Sequence, residues 1–280
     1  QGANLNQTSL NGEGGITIDA KEKLLQGGGL TLTQQTSLSS WKTISLKGQA
    51  INLLNITGEG REGVRVETGL GNLHMGFLEK PKDLSPELKV FLKSEGDIIF
   101  KSQGDVSLQK GLAETLSNIQ VTARNKVHLG NEITSVGFTA GKTIHLSSQE
   151  IALINTKLTG VEGLTFEASN TLKVGAETST PILISQKDIE FKGTRDATFS
   201  SGMLMASSNI FFKDIEGLEF NPKGFGLDLS ANGKLTLVAK KLTIGGGKFT
   251  AQEGIDLTSA QQEMEIGGLT EGPNFSSSKE

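Results

Sequence analysis

An apolar–any–apolar triplet returns along this chain every 20 to 25 residues, and no other feature constrains the fold as tightly. In GKTIHLSSQEIALINTKLTGVEGLTFEASNTLKVG, residues 141 to 175, the triplets are Ile144-His145-Leu146, Ile151-Ala152-Leu153, Leu164-Thr165-Phe166 and Leu172-Lys173-Val174. Successive residues of a strand point to opposite faces, so each triplet reads as a short strand with two side chains in and one out. The strongest triplets begin at Ile98, Ile119, Ile144, Leu164, Ile189, Ile210, Leu235 and Ile255, with gaps of 21, 25, 20, 25, 21, 25 and 20. A period this regular marks a solenoid. Every second mark lies 45 or 46 residues on, so the repeating unit is two coils.

Each coil divides into three. Ile144 is followed by Ile151 and Leu153, then Leu158; Ile189 by Ala197 and Phe199, then Met203 and Met205; Leu235 by Leu242 and Ile244, then Phe249. Three short strands per turn predict an all-β chain wound as a three-sided parallel β-helix. The first strands should point sixteen apolar residues inward, from Ile98 and Phe100 to Ile255 and Leu257. The extra residues of the long coils fall between second and third strands: GNEITSVG (130–137), GAETSTP (175–181) and NPKGFG (221–226). Toward the N-terminus two registers compete, one through Leu30, Ile51 and Leu73, the other through Ile16, Ile44 and Val64. The clearest break is LEKPKDLSPELK, residues 78 to 89, where the second strand of a coil beginning at Leu73 is expected. It holds two of the five prolines, which remove ladder donors, and Ser85-Pro86-Glu87 has the cap and first-turn residues of a short helix.

Composition agrees and excludes several functions. Among 280 residues, 36 Gly against 5 Pro suits many short strands joined by tight turns. A net charge of -4 with scattered lysines gives no footprint for nucleic acid. No run approaches the ~18 apolar residues that span a membrane. Without Cys there are no disulfides and no thiolate metal sites. Gln1 begins no basic and apolar leader, and the pattern runs to both ends. Residues 1 to 280 therefore read as one β-helix segment of a larger protein, interrupted at 78–89.

The phrases GDIIFKSQGDVSLQ, NKVHLGN, AGKTIHLSSQ, EGLTFEASNTLKVG and ANGKLTLVAKKLTIGGGKFTAQEGIDLTS resemble the haemagglutinin repeats of filamentous-haemagglutinin-type exoproteins. The likeness covers most of residues 90 to 269. Such proteins are the secreted partners of two-partner secretion systems, among them adhesins and contact-dependent growth inhibition effectors. The resemblance implies a right-handed parallel β-helix at the bacterial cell surface, exported unfolded through an outer-membrane two-partner secretion transporter. It implies a rigid stalk or adhesive rod that contacts a protein or glycan receptor on a host or neighbouring cell. Of the family's NPN-type secretion motifs only FNPKGFG (220–226) offers a likeness, and the VENN motif before effector toxins is absent.

The same fold hosts polysaccharide lyases, hydrolases and tailspikes, so a carbohydrate-active enzyme is the alternative. Its catalysis needs carboxylates on neighbouring coils, within ~10 Å on one face. The residues before first strands include Asp97 and Asp188, and those before second strands Asp105 and Asp196; both pairs are four coils apart, ~19 Å. The Asp of calcium-binding nonapeptides is missing from GGGLTLTQQ and GGGKFTAQ. We therefore expect no catalytic residues, metal or cofactor. His128 and His145 occupy outward middle positions on different sides, and they and His74 read as solvated surface. Trp41 reads as the cover of an end or loop. Ile99 and Phe211 are the apolar residues among the outward positions of first strands. Loops on rigid scaffolds usually carry recognition. The candidate partner-binding residues are accordingly Lys80, Lys82, Asp83, Glu87 and Lys89 of the excursion, together with Phe211.

Overall fold

The computed structural model describes residues 3–6, 9–20, 29–33, 36–76, 90–221, 226–267 and 272–278. Among them every element is a β-strand, and every named strand pairing is parallel. The strands stack as a three-sided β-helix of about ten turns. Sides 1 and 2 share one 18-stranded sheet, and side 3 is a separate 12-stranded sheet. The first two sides merge because several strands run through both without a break, as in Thr143–Leu153, Gly163–Val174 and Lys234–Ile244. The register slips at the corner, between Ser148 and Glu150 for example, and the slip bends the strand.

The inward ladder of side 1 is as expected. Ile98 pairs with Ile119, Ile119 with Ile144, Ile144 with Leu164, Leu164 with Ile189, and Ile189 with Ile210. None of these is more than 1% exposed. Ile255 and Leu257 are only partly buried, since Gly254–Ile266 has a paired strand on one side only among the described residues. The C-terminal half adds an aromatic spine inside the rod. Phe191 stacks at 4.8 Å on both Phe166 and Phe212, and meets Phe199 edge-on at 5.0 Å. Phe199 continues to Phe220 at 5.3 Å.

Both N-terminal registers are used at once. Ile16, Ile44 and Val64 lead to Ile98 on side 1, while Leu30, Ile51 and Leu73 lead to Val106 on side 2. Leu73 thus opens a side 2 strand, not a coil, which corrects the placement of the break. Strands of sides 1 and 2 carry the same triplet, so the pattern alone could not separate them. Residues 78–89, including Lys80, Lys82, Asp83, Glu87, Lys89 and the short helix start expected at Ser85-Pro86-Glu87, lie outside the described residues. Their flanks are Leu73–Met75 on side 2 and Val90–Ser94 on side 3. The excursion therefore connects a side 2 strand to a side 3 strand.

The side 2–3 connection is also where the later long coils carry their extra residues, whereas the coil from Ile16 has its long connection between Ala20 on side 1 and Gly29 on side 2. Side 1 now begins at Ile16, Ile44, Val64 and Ile98, giving gaps of 28, 20 and 34, so long and short coils alternate along the whole rod. A common backbone device opens the long side 2–3 turns. Gly76, Gly130, Gly175, Asn221 and Gly267 each follow the side 2 strand with positive φ, and each N–H donates to the coil below. A Cβ at Gly130 would run into the carbonyl oxygen of Ile154, so that position needs glycine for space as well as for conformation.

Candidate functional site

The turns from side 3 back to side 1 hold stacked polar networks and, farther down, a groove. Asp97 Oδ1 accepts hydrogen bonds from Ser117 Oγ (2.7 Å), Asn118 N (3.1 Å) and Asn118 Nδ2 (3.0 Å). Asn118 Oδ1 then accepts from Thr143 N (3.3 Å) and Oγ1 (2.8 Å). The same chain recurs 91 residues on, from Asp188 to Asn209 (2.9 and 3.0 Å) and from Asn209 to Lys234 N (2.8 Å). These carboxylates tie one coil to the next. The Ser117 hydroxyl is the main cause that holds the Asp97 carboxyl below its usual value; burial opposes it, and the Asn118 amides and Lys142 charge reinforce it.

Between Trp41 and Leu116 the outer face of side 3 forms a groove of about 1010 Å³. Four successive turn residues, Trp41, Arg61, Glu95 and Leu116, make its wall. The indole of Trp41 is 64% exposed, with the Arg61 guanidinium 5.3 Å from its ring centre; Arg61 Nε in turn donates to Glu95 Oε2 at 3.2 Å. Leu116 is 71% exposed. The floor is a column of outward side chains in adjacent side 3 strands: Ser39, Glu59, Lys93, Glu114 and Thr139. Lys93 lies between Glu59 and Glu114 in the ladder, yet among the described residues no carboxylate comes within 4 Å of its ammonium. Elsewhere comparable neighbours have closed: Lys192 to Glu167 at 2.7 Å, Lys213 to Glu190 at 3.2 Å and Lys240 to Glu216 at 2.7 Å. Among the described residues, the groove thus leaves Glu59, Lys93 and Glu114 unpaired.

Of the candidate partner-binding residues only Phe211 is among the described residues, and it lies outside the groove. Phe211 is half-buried on the outer face of side 1, capped by Lys213 Nζ 4.1 Å from its ring centre. Ile99, also on side 1, is half-buried between Arg65 and Gln120. His145 sits 3.9 Å from Glu167. His74 and His128 share a column on side 2 with Ser107 between them. Burial pushes both below the usual histidine value, against the charge of Asp105 for His74 and together with that of Lys126 for His128. Both histidines are half-buried, so they are not the solvated surface expected of them. Trp41 does not cover an end either; its turn projects it outward at the groove's rim. Asp97 and Asp188 hold turns, as shown above.

Side 3 carries outward residues that the pattern of first strands does not signal. A comparison of outward positions on third strands finds Phe91 beside Leu112, and Ile182 and Ile184 beside Met203 and Met205. It also finds the Glu59, Lys93, Glu114 alternation.

No family model matches the chain, and no curated protein or solved structure is significantly similar to it. Among the described residues no group of three or more His, Cys, Asp or Glu is placed to hold a metal ion. No helix is long and apolar enough to cross a membrane.

Proposed function

We propose that this chain is a structural and adhesive segment of a secreted bacterial surface exoprotein of the filamentous-haemagglutinin type. In this reading an outer-membrane two-partner secretion transporter exports it, and it meets a protein or glycan receptor on a host or neighbouring cell. The observation that carries the reading is a polar-faced rod, apolar inside for about ten turns, with a groove in which Glu59, Lys93 and Glu114 have no partner among the described residues. A continuous ladder resists bending because each coil is hydrogen-bonded to the next, which suits a spacer that holds a surface away from a cell. The repeat phrases between residues 90 and 269 supply the family likeness. In the chain, the charged segment 78–89 immediately precedes Val90–Ser94, the middle strand of the groove. Fluorescently labelled chain should bind intact epithelial or bacterial target cells saturably. Linear, unsaturable uptake on every cell type tested would remove the adhesive role.

One observation favours the enzymatic alternative. Glu59 and Glu114 lie on one face two coils apart, ~9.6 Å at the backbone, near the separation of an inverting glycosidase pair. Against it, Glu59 is exposed and Glu114 half-exposed, with no apolar enclosure of the type that keeps a general acid protonated. Lys93 also occupies the space between them. New reducing or unsaturated ends, released from polysaccharides by wild type and not by Glu114→Gln, would establish the enzyme.

A further inference from the structure

We propose that the side 3 groove binds a neutral, linear glycan laid along the rod axis, with one ring on Trp41 and the following units over Glu59, Lys93 and Glu114. The inference rests on the adhesive reading and names the ligand class and the site.

A pyranose presents an apolar C–H face and a rim of hydroxyls. Its recognition needs a flat apolar platform and, close by, polar groups free to take hydroxyl pairs. Trp41, the single Trp of the chain, is the platform; Arg61 steadies it, and 64% of the residue stays exposed. Glu59 and Glu114 are free to accept from hydroxyls, and Lys93 to donate to ring and hydroxyl oxygens, because among the described residues none of the three is spent on a neighbour. They recur once per coil, ~4.8 Å apart, about the length of one sugar unit. A chain of such units therefore meets one charged side chain per ring. The groove's volume, about 1010 Å³, has room for several.

Charge decides against an acidic chain. Glu95 neutralises Arg61 at 3.2 Å, which leaves two carboxylates to one ammonium, and a sulfated or uronate polymer would meet net repulsion. Topology decides against a peptide added as a strand. Ile56–Gly60 and Val90–Ser94 are paired on both sides, so the groove floor offers no open backbone edge.

The test titrates fluorescently labelled cellohexaose, chitohexaose, mannohexaose and maltohexaose, with a heparin hexasaccharide alongside, into wild type and variants. Saturable binding of at least one neutral oligomer is expected, weakened roughly 10-fold by Trp41→Ala and several-fold by Lys93→Ala. Thr165→Ala, an outward position on side 1, should leave it unchanged. Trp41 is exposed on a turn, so Trp41→Ala should melt with the wild type; should it not, Lys93→Ala carries the test. The proposal is overturned if no neutral oligomer saturates, if binding ignores Trp41 and Lys93, or if heparin alone binds. Cell binding separates this from the broader reading. Cells held as well by Trp41→Ala, or released by trypsin and not by neutral oligomers, would keep the adhesin and overturn the glycan site. Oligomer binding without cell binding would do the reverse.

Discussion

Ile189 has no exposed surface and lies in register between Leu164 and Ile210, while Glu190 beside it points to water. A charge at position 189 would sit inside the rod with no partner, so Ile189→Asp should lose at least ~3 kcal/mol and open the adjoining coils. Reversing the charge at position 190 is not a silent control. Glu190 meets Lys213 at 3.2 Å and Lys192 at 4.0 Å, and a third cation there would add repulsion. Glu190→Gln is the better comparison and should change stability by less than ~1 kcal/mol. Equal melting shifts for Ile189→Asp and Glu190→Gln would refute the register. Asp97 makes a pH-dependent prediction. Its carboxyl is held below the unfolded value of about 3.9, so ionised Asp97 adds stability at any pH above that value. The addition disappears as pH falls through the lower folded value. Asp97→Asn should therefore melt below wild type at neutral pH, with the gap closing as pH falls below the unfolded value of about 3.9. A constant gap would mean that shape, not charge, holds the turn.

At the scale of a coil, the turn from side 2 to side 3 tolerates length while the strands on either side do not. The reason is local: Leu73–Met75 pairs with Ala50–Leu53 and Val106–Leu108, and Val90–Ser94 with Ile56–Gly60 and Gly111–Thr115. Those ladders hold the ends of the excursion whatever joins them. Replacing residues 79 to 87 with a short Gly/Ser turn should leave the far-UV circular dichroism β-rich and the melting point nearly unchanged. If the excursion contacts the receptor, the replacement loses cell binding. Retained binding with new self-association would show that it serves to block lateral pairing of rods. The departure point is stricter. Gly130→Ala, forced into positive φ against Ile154, should cost ~2 kcal/mol or more, whereas Asn221→Gly should be tolerated; chemical denaturation of the two variants compares them.

Along the whole rod each coil touches only its neighbours, so damage should stay where it is made. Phe191 joins three aromatic partners, and Phe191→Ala should cost ~3–5 kcal/mol. Hydrogen exchange should quicken in the coils around residues 164 to 220 and stay unchanged before residue 129. Uniform acceleration would show instead that the rod opens as one unit. The half-exposed Ile255 and Leu257 should already exchange early in the wild type, because one side of their strand is unpaired among the described residues.

The triplet period was enough to establish the inside of this rod. An apolar residue at every second position reports burial locally, so the side 1 residues from Ile98 to Leu237 could be read inward without any long-range information, whereas in the side 3 triplet Met203 and Met205 face out and Leu204 faces in. Which triplets lie above which was decided by the tertiary structure. Coils vary from 20 to 34 residues, and sides 1 and 2 repeat the same pattern, so no fixed spacing told Leu73 from Val64. The groove is a product of that stacking. Trp41, Glu59, Lys93 and Glu114 are brought together across more than 70 residues of chain, and outward side chains leave no burial period behind by which their neighbours could be found.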